Sequence, residues 1–251
     1  MSTRSGAATR ARKPGSNSGS GGGASARRVG RPRATGAAAG ADPAEDILRA
    51  AAGLFAERGF VGTSTAQIAA AVGLRQSAIF HWFPSKDAIL EALFSRGWDR
   101  SLAYFAEVDA LALPAAVKLC MCLSYDAAFV AGAEPYLKLM IVPPELHQPR
   151  FAKLLAKRRR LVACLERFIA RAMEEGDFRP VDPSRAASMV LAVDEVVLDA
   201  AASGEAPTPE QHAELAVDFV LHALAIDRRR ITAIQARLAR QRGTRRSPAP
   251  A

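Results

Sequence analysis

Three dipeptides, Asp42-Pro43, Asp182-Pro183 and Thr208-Pro209, each set a capping side chain directly before a proline. The cap accepts a hydrogen bond from the first turn, and the fixed φ of proline suits the first helical position, so each pair opens an α-helix. Downstream, apolar residues recur three and four apart rather than alternately, and β-branched runs are nearly absent. Breaks fall at Gly59, Gly73, Pro84, Pro114, Pro143-Pro144, Gly176 and Gly204. These signals predict helices at 43–58, 64–72, 75–83, 86–105, 115–131, 135–142, 145–175, 183–203 and 208–238. The chain is expected to be all-α.

The 251 residues, 49% of them hydrophobic, are enough to bury a sizeable core, which excludes a wholly disordered protein. The formal net charge of +9 is uneven. Residues 1–40 carry eight basic groups and no acid, and residues 226–251 carry +7, which leaves −6 on the stretch between. Residues 1–40 are Gly, Ser, Ala and Arg, with only Met1 and Val29 as sizeable apolar groups, so a disordered basic arm is expected. A frayed basic tail is expected over 239–251. No run of about 18 apolar residues marks a membrane helix, and the basic N-terminus lacks the apolar core of a secretory signal. Cys120, Cys122 and Cys164 have neither a disulfide framework nor metal-ligand spacing. A cytoplasmic protein without membrane contact is expected.

Ser64-Thr65-Ala66-Gln67 is an S-x-x-Q capping box, and it opens a short helix with Ile68, Ala69 and Val72 turned inward. Gly73 makes a tight turn into a third helix, where Ile79 and Phe83, four apart, share the inner face. Two short helices joined in this way form a helix-turn-helix, whose second helix lies in the DNA major groove. The exposed start of that helix is Arg75, Gln76, Ser77 and Ala78. Arginine pairs with guanine and glutamine with adenine through two hydrogen bonds, each pair discriminating by ~1–3 kcal/mol. Both residues also suit a merely solvated surface. His81 falls on the outer face, placed for a phosphate.

The string Ile47-Leu48, Ala50-Ala51, Leu54-Phe55-Ala56-Glu57-Arg58-Gly59-Phe60, Gly62-Thr63-Ser64, Ile68-Ala69, Gly73-Leu74 and Ile79-Phe80-His81-Trp82-Phe83-Pro84-Ser85-Lys86 closely resembles the DNA-binding domain of the TetR family of transcriptional regulators. The resemblance covers about residues 44–94. It implies a helix-turn-helix domain over 41–90, then a larger helical domain over 91–238 for effector binding and dimerisation. It also implies a homodimer that represses from a palindromic operator of double-stranded DNA and is released by a small-molecule effector. No cofactor is implied. In the family pattern Ser64, Thr65 and Gln67 face phosphate or base edges, although Ser64 equally serves as the helix cap. Lys86 matches a widespread phosphate contact. Two positions depart from the pattern. Phe80 replaces a tyrosine whose hydroxyl reaches phosphate, and so packs against sugar or a thymine methyl, or joins the core. Arg75 replaces a small hydroxyl cap and caps poorly.

Residues 41–90 carry a net charge of −1, so long-range attraction to DNA falls to the arm. Arg28-Val29-Gly30-Arg31-Pro32-Arg33 resembles an AT-hook core, which lies in an A·T minor groove. A solvated linker that only raises non-specific affinity through Arg28, Arg31 and Arg33 fits equally well. In the later part Cys120, Met121, Leu123, Tyr125, Phe129, Met140, Cys164 and Phe168 are soft, adaptable groups suited to an effector cavity or to ordinary core. Glu195 and Asp199 suit a cationic ligand or a dimer rim. The histidines His81, His147, His212 and His222 are scattered, and no phosphate loop, nucleophile elbow or H-E-x-x-H occurs, so no enzyme and no metal site is expected. The alternative to a repressor is an architectural or partner-bridging DNA-binding protein.

Overall fold

Asp42 accepts a hydrogen bond from the Ala44 amide at 2.9 Å, and Pro43 takes the first helical position, so the first helix starts where the sequence marks it. The computed structural model describes residues 42–132, 144–193 and 207–244. In chain order the helices are α1 (Pro43–Arg58), α2 (Thr65–Ala71), α3 (Gln76–Trp82), α4 (Lys86–Asp109), α5 (Ala115–Gly132), α6 (Ala152–Glu174), α7 (Pro183–Ala192), α8 (Pro209–Leu224) and α9 (Arg228–Thr244). Two 3₁₀ turns, Pro144–His147 and Pro149–Phe151, precede α6. Among the described residues there is no β-strand, only an isolated bridge between Phe178 and Ala225. The fold is all-α, an N-terminal helix-turn-helix followed by a larger helical part.

The other start signals hold too. Asp182 accepts from the Ser184 and Arg185 amides at 3.0 and 3.1 Å, and Thr208 forms a reciprocal capping box with Gln211. Around the first three helices the core is built from Ile47, Ala51 and Phe55 of α1, Ile68 and Ala69 of α2, and Ile79 of α3, with Ile89 and Leu90 of α4 closing it. The larger part is centred on α5, which packs against α4, α6, α8 and α9. Wrapped by these neighbours, α5 buries every residue from Ala115 to Leu123. Its composition alone is apolar enough to cross a membrane, a possibility the sequence reading missed, and 67% of it is buried in the helical unit.

Four helix boundaries differ from expectation. The helix expected over 145–175 starts only at Ala152, because Pro149 forces Gln148 into an extended conformation at φ −70°, ψ 147°. The single helix expected over 208–238 is two. Ala225 is extended, the Leu224 carbonyl accepts from the Arg179 amide at 2.9 Å, and the Asp177 carbonyl accepts from Ile226 at 3.2 Å. Asp227 then caps the next helix by accepting from the Arg230 amide at 2.9 Å. Finally, α4 runs to Asp109 rather than to 105, and α9 continues to Thr244 rather than ending at 238. The helix expected over 135–142, the end of that over 183–203, Arg28, Arg31 and Arg33 of the arm, Met140, Glu195 and Asp199 all lie outside the described residues.

Candidate nucleic-acid interface

The α2–α3 turn follows from Gly73, whose φ of 67° suits a residue without Cβ, and from the Leu74 amide donating to the Ala69 carbonyl at 2.8 Å. The buried Ile79 anchors α3 from beneath. Outward it presents Arg75, Gln76, Ser77, Phe80 and His81, while Ala78 is half-buried. Arg75 stands at the N-cap with no side-chain hydrogen bond to the helix, so its guanidinium is left for another partner. Phe80 is 47% exposed, which removes it from the core. Trp82, which sequence reasoning passed over, is 44% exposed and meets the His81 ring edge-on at 5.7 Å.

Several of the polar candidates are already engaged. Ser64 and Gln67 form the capping box, with the Gln67 amide donating to Ser64 Oγ at 3.2 Å and the Ser64 amide to Gln67 Oε1 at 2.8 Å. Gln76 Nε2 donates to Thr65 Oγ1 at 2.8 Å, which ties the start of α3 to the start of α2. A bidentate contact from Gln76 to adenine therefore has to share or replace this bond.

Lys86 shows the largest departure from its sequence reading. Its ammonium donates to the carbonyls of Phe60 and Thr63, both at 2.7 Å, and lies 4.3 Å from the Phe60 ring centroid. Two of its three N–H groups thus staple the start of α4 to the α1–α2 loop, and one remains for a phosphate. The same loop is fixed by the buried Thr63 hydroxyl, within bonding distance of the Gly59 and Leu54 carbonyls at 2.9 and 3.1 Å. It is fixed again at Gly62, where a Cβ would stand 2.4 Å from the Arg58 carbonyl oxygen. Sequence reasoning missed this pinning role of Thr63 and Lys86, whose partners include carbonyls more than twenty residues distant.

Residues 47–93 match the pattern of the family described as bacterial regulatory proteins, tetR family. This stretch of the chain is similar to the DNA-binding domain of the TetR family. A relative, the HTH-type transcriptional repressor KstR2 of Mycobacterium tuberculosis, is 27% identical over 140 residues, 54% of this chain and 68% of that protein. The solved structure of Mycobacterium smegmatis AmtR aligns with a TM-score of 0.68 at 29% identity, covering 83% of this chain and 98% of that one. AibR, solved with isovaleryl coenzyme A and operator DNA, shares the fold with a TM-score of 0.60 at 24% identity, covering 71% of this chain and 97% of its own.

In the larger helical part the expected cavity residues fall into two groups. Cys120, Met121 and Leu123 of α5 and Cys164 and Phe168 of α6 are buried. Tyr125 and Phe129 are half-buried at the α4–α5 edge, where Tyr125 stacks on Tyr104 at 4.0 Å and accepts from Arg100 Nε at 2.9 Å. The Arg100 guanidinium also lies 5.2 Å from the Phe129 ring. The three cysteines are free, and burial pushes the Cys122 thiol well above its usual range. His212 is buried and His222 exposed, and among the described residues no group of three His, Cys, Asp or Glu is placed to hold a metal ion.

Asp126 carries a feature that the sequence did not announce. It is buried between α5 and α4, and the Ser101 hydroxyl meets its Oδ1 at 2.5 Å. Burial pushes its pKa up to about 7, with the Ser101 hydrogen bond opposing. The folded chain therefore holds this proton more tightly than the unfolded one. Stability from this group is greatest at low pH and declines as pH rises from about 4 to about 7. Asp126→Asn should stabilise the protein at pH 8 and have little effect at pH 4. Thermal melts of both chains across that range give the difference, and a pH-independent difference would contradict the assignment.

Proposed function

We propose that this chain is a regulator of the TetR family, a homodimeric repressor that reads a palindromic operator with α3 and releases it when a small molecule enters the larger helical part. The observation that carries this reading is the outward row of Arg75, Gln76, Ser77, Phe80 and His81 on a helix held by Ile79. The name of KstR2, a transcriptional repressor, supports repression. The dimer is supported by α8, where Leu215 and Phe219 are 60% and 61% exposed and four residues apart, hence on one face. Met189 of α7 is 71% exposed. Large apolar side chains so exposed, two of them on one helix face, are the kind of surface a second copy covers.

The effector cavity is assigned to the α5–α6 region with Cys120, Met121, Leu123, Tyr125, Phe129, Cys164 and Phe168. Its link to DNA is α4, one continuous helix of 24 residues that begins at Lys86 in the reading head. At that end Asp87 pairs with Arg150 at 2.8 Å, and about three turns further on Asp99 pairs with Lys157 of α6 at 2.6 Å. A shift of α6 on ligand binding thus acts on the helix that carries the head. Half-sites read by a dimer lie about one helical turn, ~34–36 Å, apart, so a small change in head separation weakens both contacts together.

Selection of bound fragments from genomic DNA by the purified chain tests this reading. One short palindrome is expected, with Arg75→Ala losing ~1–3 kcal/mol of discrimination at a single base pair per half-site. Binding spread along A·T-rich DNA without a palindrome would favour the architectural alternative and count against a repressor.

A further inference from the structure

An open recess of about 500 Å³ lies between the 111–114 turn, the C-terminal part of α6 and α9. Its charged lining is Lys118, Arg171, Arg230 and Arg237 against Glu175 and Asp177. The acids are already committed. Asp177 Oδ1 holds Arg230 Nη1 at 3.1 Å. Glu175 takes Arg171 Nε at 3.3 Å with one oxygen and the Ala115 amide at the start of α5 at 2.8 Å with the other. Lys118 is buried, with its ammonium bonded to the Asp109 carbonyl at 2.7 Å. Arg237 has no ion pair or hydrogen bond among the described residues. The recess is thus a cationic surplus.

The donors available there suit an anion of more than one charge. Arg171 engages its acid through Nε and Arg230 through one Nη, and a guanidinium carries five N–H groups, so both keep donors beside the uncommitted fork of Arg237. Planar arginine forks match the paired oxygens of phosphate and carboxylate better than those of a single halide. The space is also far larger than one phosphate group needs, and the 111–114 turn gives it an apolar flank.

We propose that this recess binds a small soluble molecule bearing two or more phosphate or carboxylate charges, held by Arg171, Arg230 and Arg237, and that the bound anion fastens α9 to the body of the protein. None of the residues assigned to the effector cavity lines it, so the site is a second one and does not depend on the operator reading.

The test is calorimetric titration of the full chain with inorganic pyrophosphate, ATP and citrate at near-physiological salt. Saturable binding at one site is expected for at least one probe, and the comparison of pyrophosphate with citrate assigns the anion as phosphate or carboxylate. Arg171→Ala and Arg237→Ala should each weaken it about tenfold, the loss of one charge-assisted contact. Both side chains are exposed, so the thermal midpoint should not move. Asp177→Asn, which releases Arg230, should tighten binding. The basic ends of the chain also attract polyanions, but that binding does not depend on these arginines. Saturable binding unchanged in the Arg171→Ala, Arg237→Ala double variant, or none with any of the three probes, would overturn the proposal.

Discussion

Phe219→Asp should yield a folded monomer that binds DNA about 10²–10⁴-fold more weakly than the parent chain, because linking two reading heads raises overall affinity by that order without any new contact. The side chain is 61% exposed, so its loss removes little from the core of a single copy. In a dimer that covers this face, an aspartate beside Leu215 would be taken out of water with no cation supplied, which opposes association. Sedimentation and gel-shift titration on the selected palindrome report the two consequences separately. A variant that still sediments as a dimer would remove α8 from the subunit interface. A monomer with undiminished DNA affinity would instead remove dimerisation from the recognition mechanism.

Lys86→Met should loosen the loop between α1 and α2 by about 2–4 kcal/mol, given that a hydrogen bond from a charged donor contributes ~1.5–3 kcal/mol. Methionine keeps most of the side-chain bulk and contact with the Phe60 ring but donates to neither carbonyl. The loss is expected where the bonds are, at residues 59–63, rather than across the molecule. Hydrogen exchange of those amides should therefore accelerate far more than that of α5. DNA binding should also fall, since Ser64, which starts α2, directly follows Thr63. Were Lys86 only a phosphate contact, exchange in the free protein would be unchanged and the slope of log affinity against log salt would drop by about one. The staple predicts the first change. The third N–H of the ammonium allows the second in addition.

The reading head was legible in the sequence to within a residue or two. Asp42-Pro43 and Ser64 through Gln67 act on amides within their own first turn, Gly59 and Gly73 permit backbone angles that other residues resist, and Ile79 repeats the helical spacing. Arg75 was read as a poor cap and makes no side-chain cap bond. The larger part was legible only as helices. Pro149 was available as a break and was passed over, whereas the break at Ala225 has no strong local signal beyond Asp227.

The sequence by itself determined the all-α class, the helix-turn-helix and which face of α3 is turned outward, because caps, prolines, glycines and periodicity act over a few residues. Only the tertiary structure decided that Lys86 bonds the Phe60 and Thr63 carbonyls, that Asp126 is a buried carboxyl against Ser101, and that four cations meet two acids beside α9. Each depends on groups more than twenty residues apart in the chain, and their charge and hydrogen-bonding roles are set by burial and distance rather than by neighbouring letters.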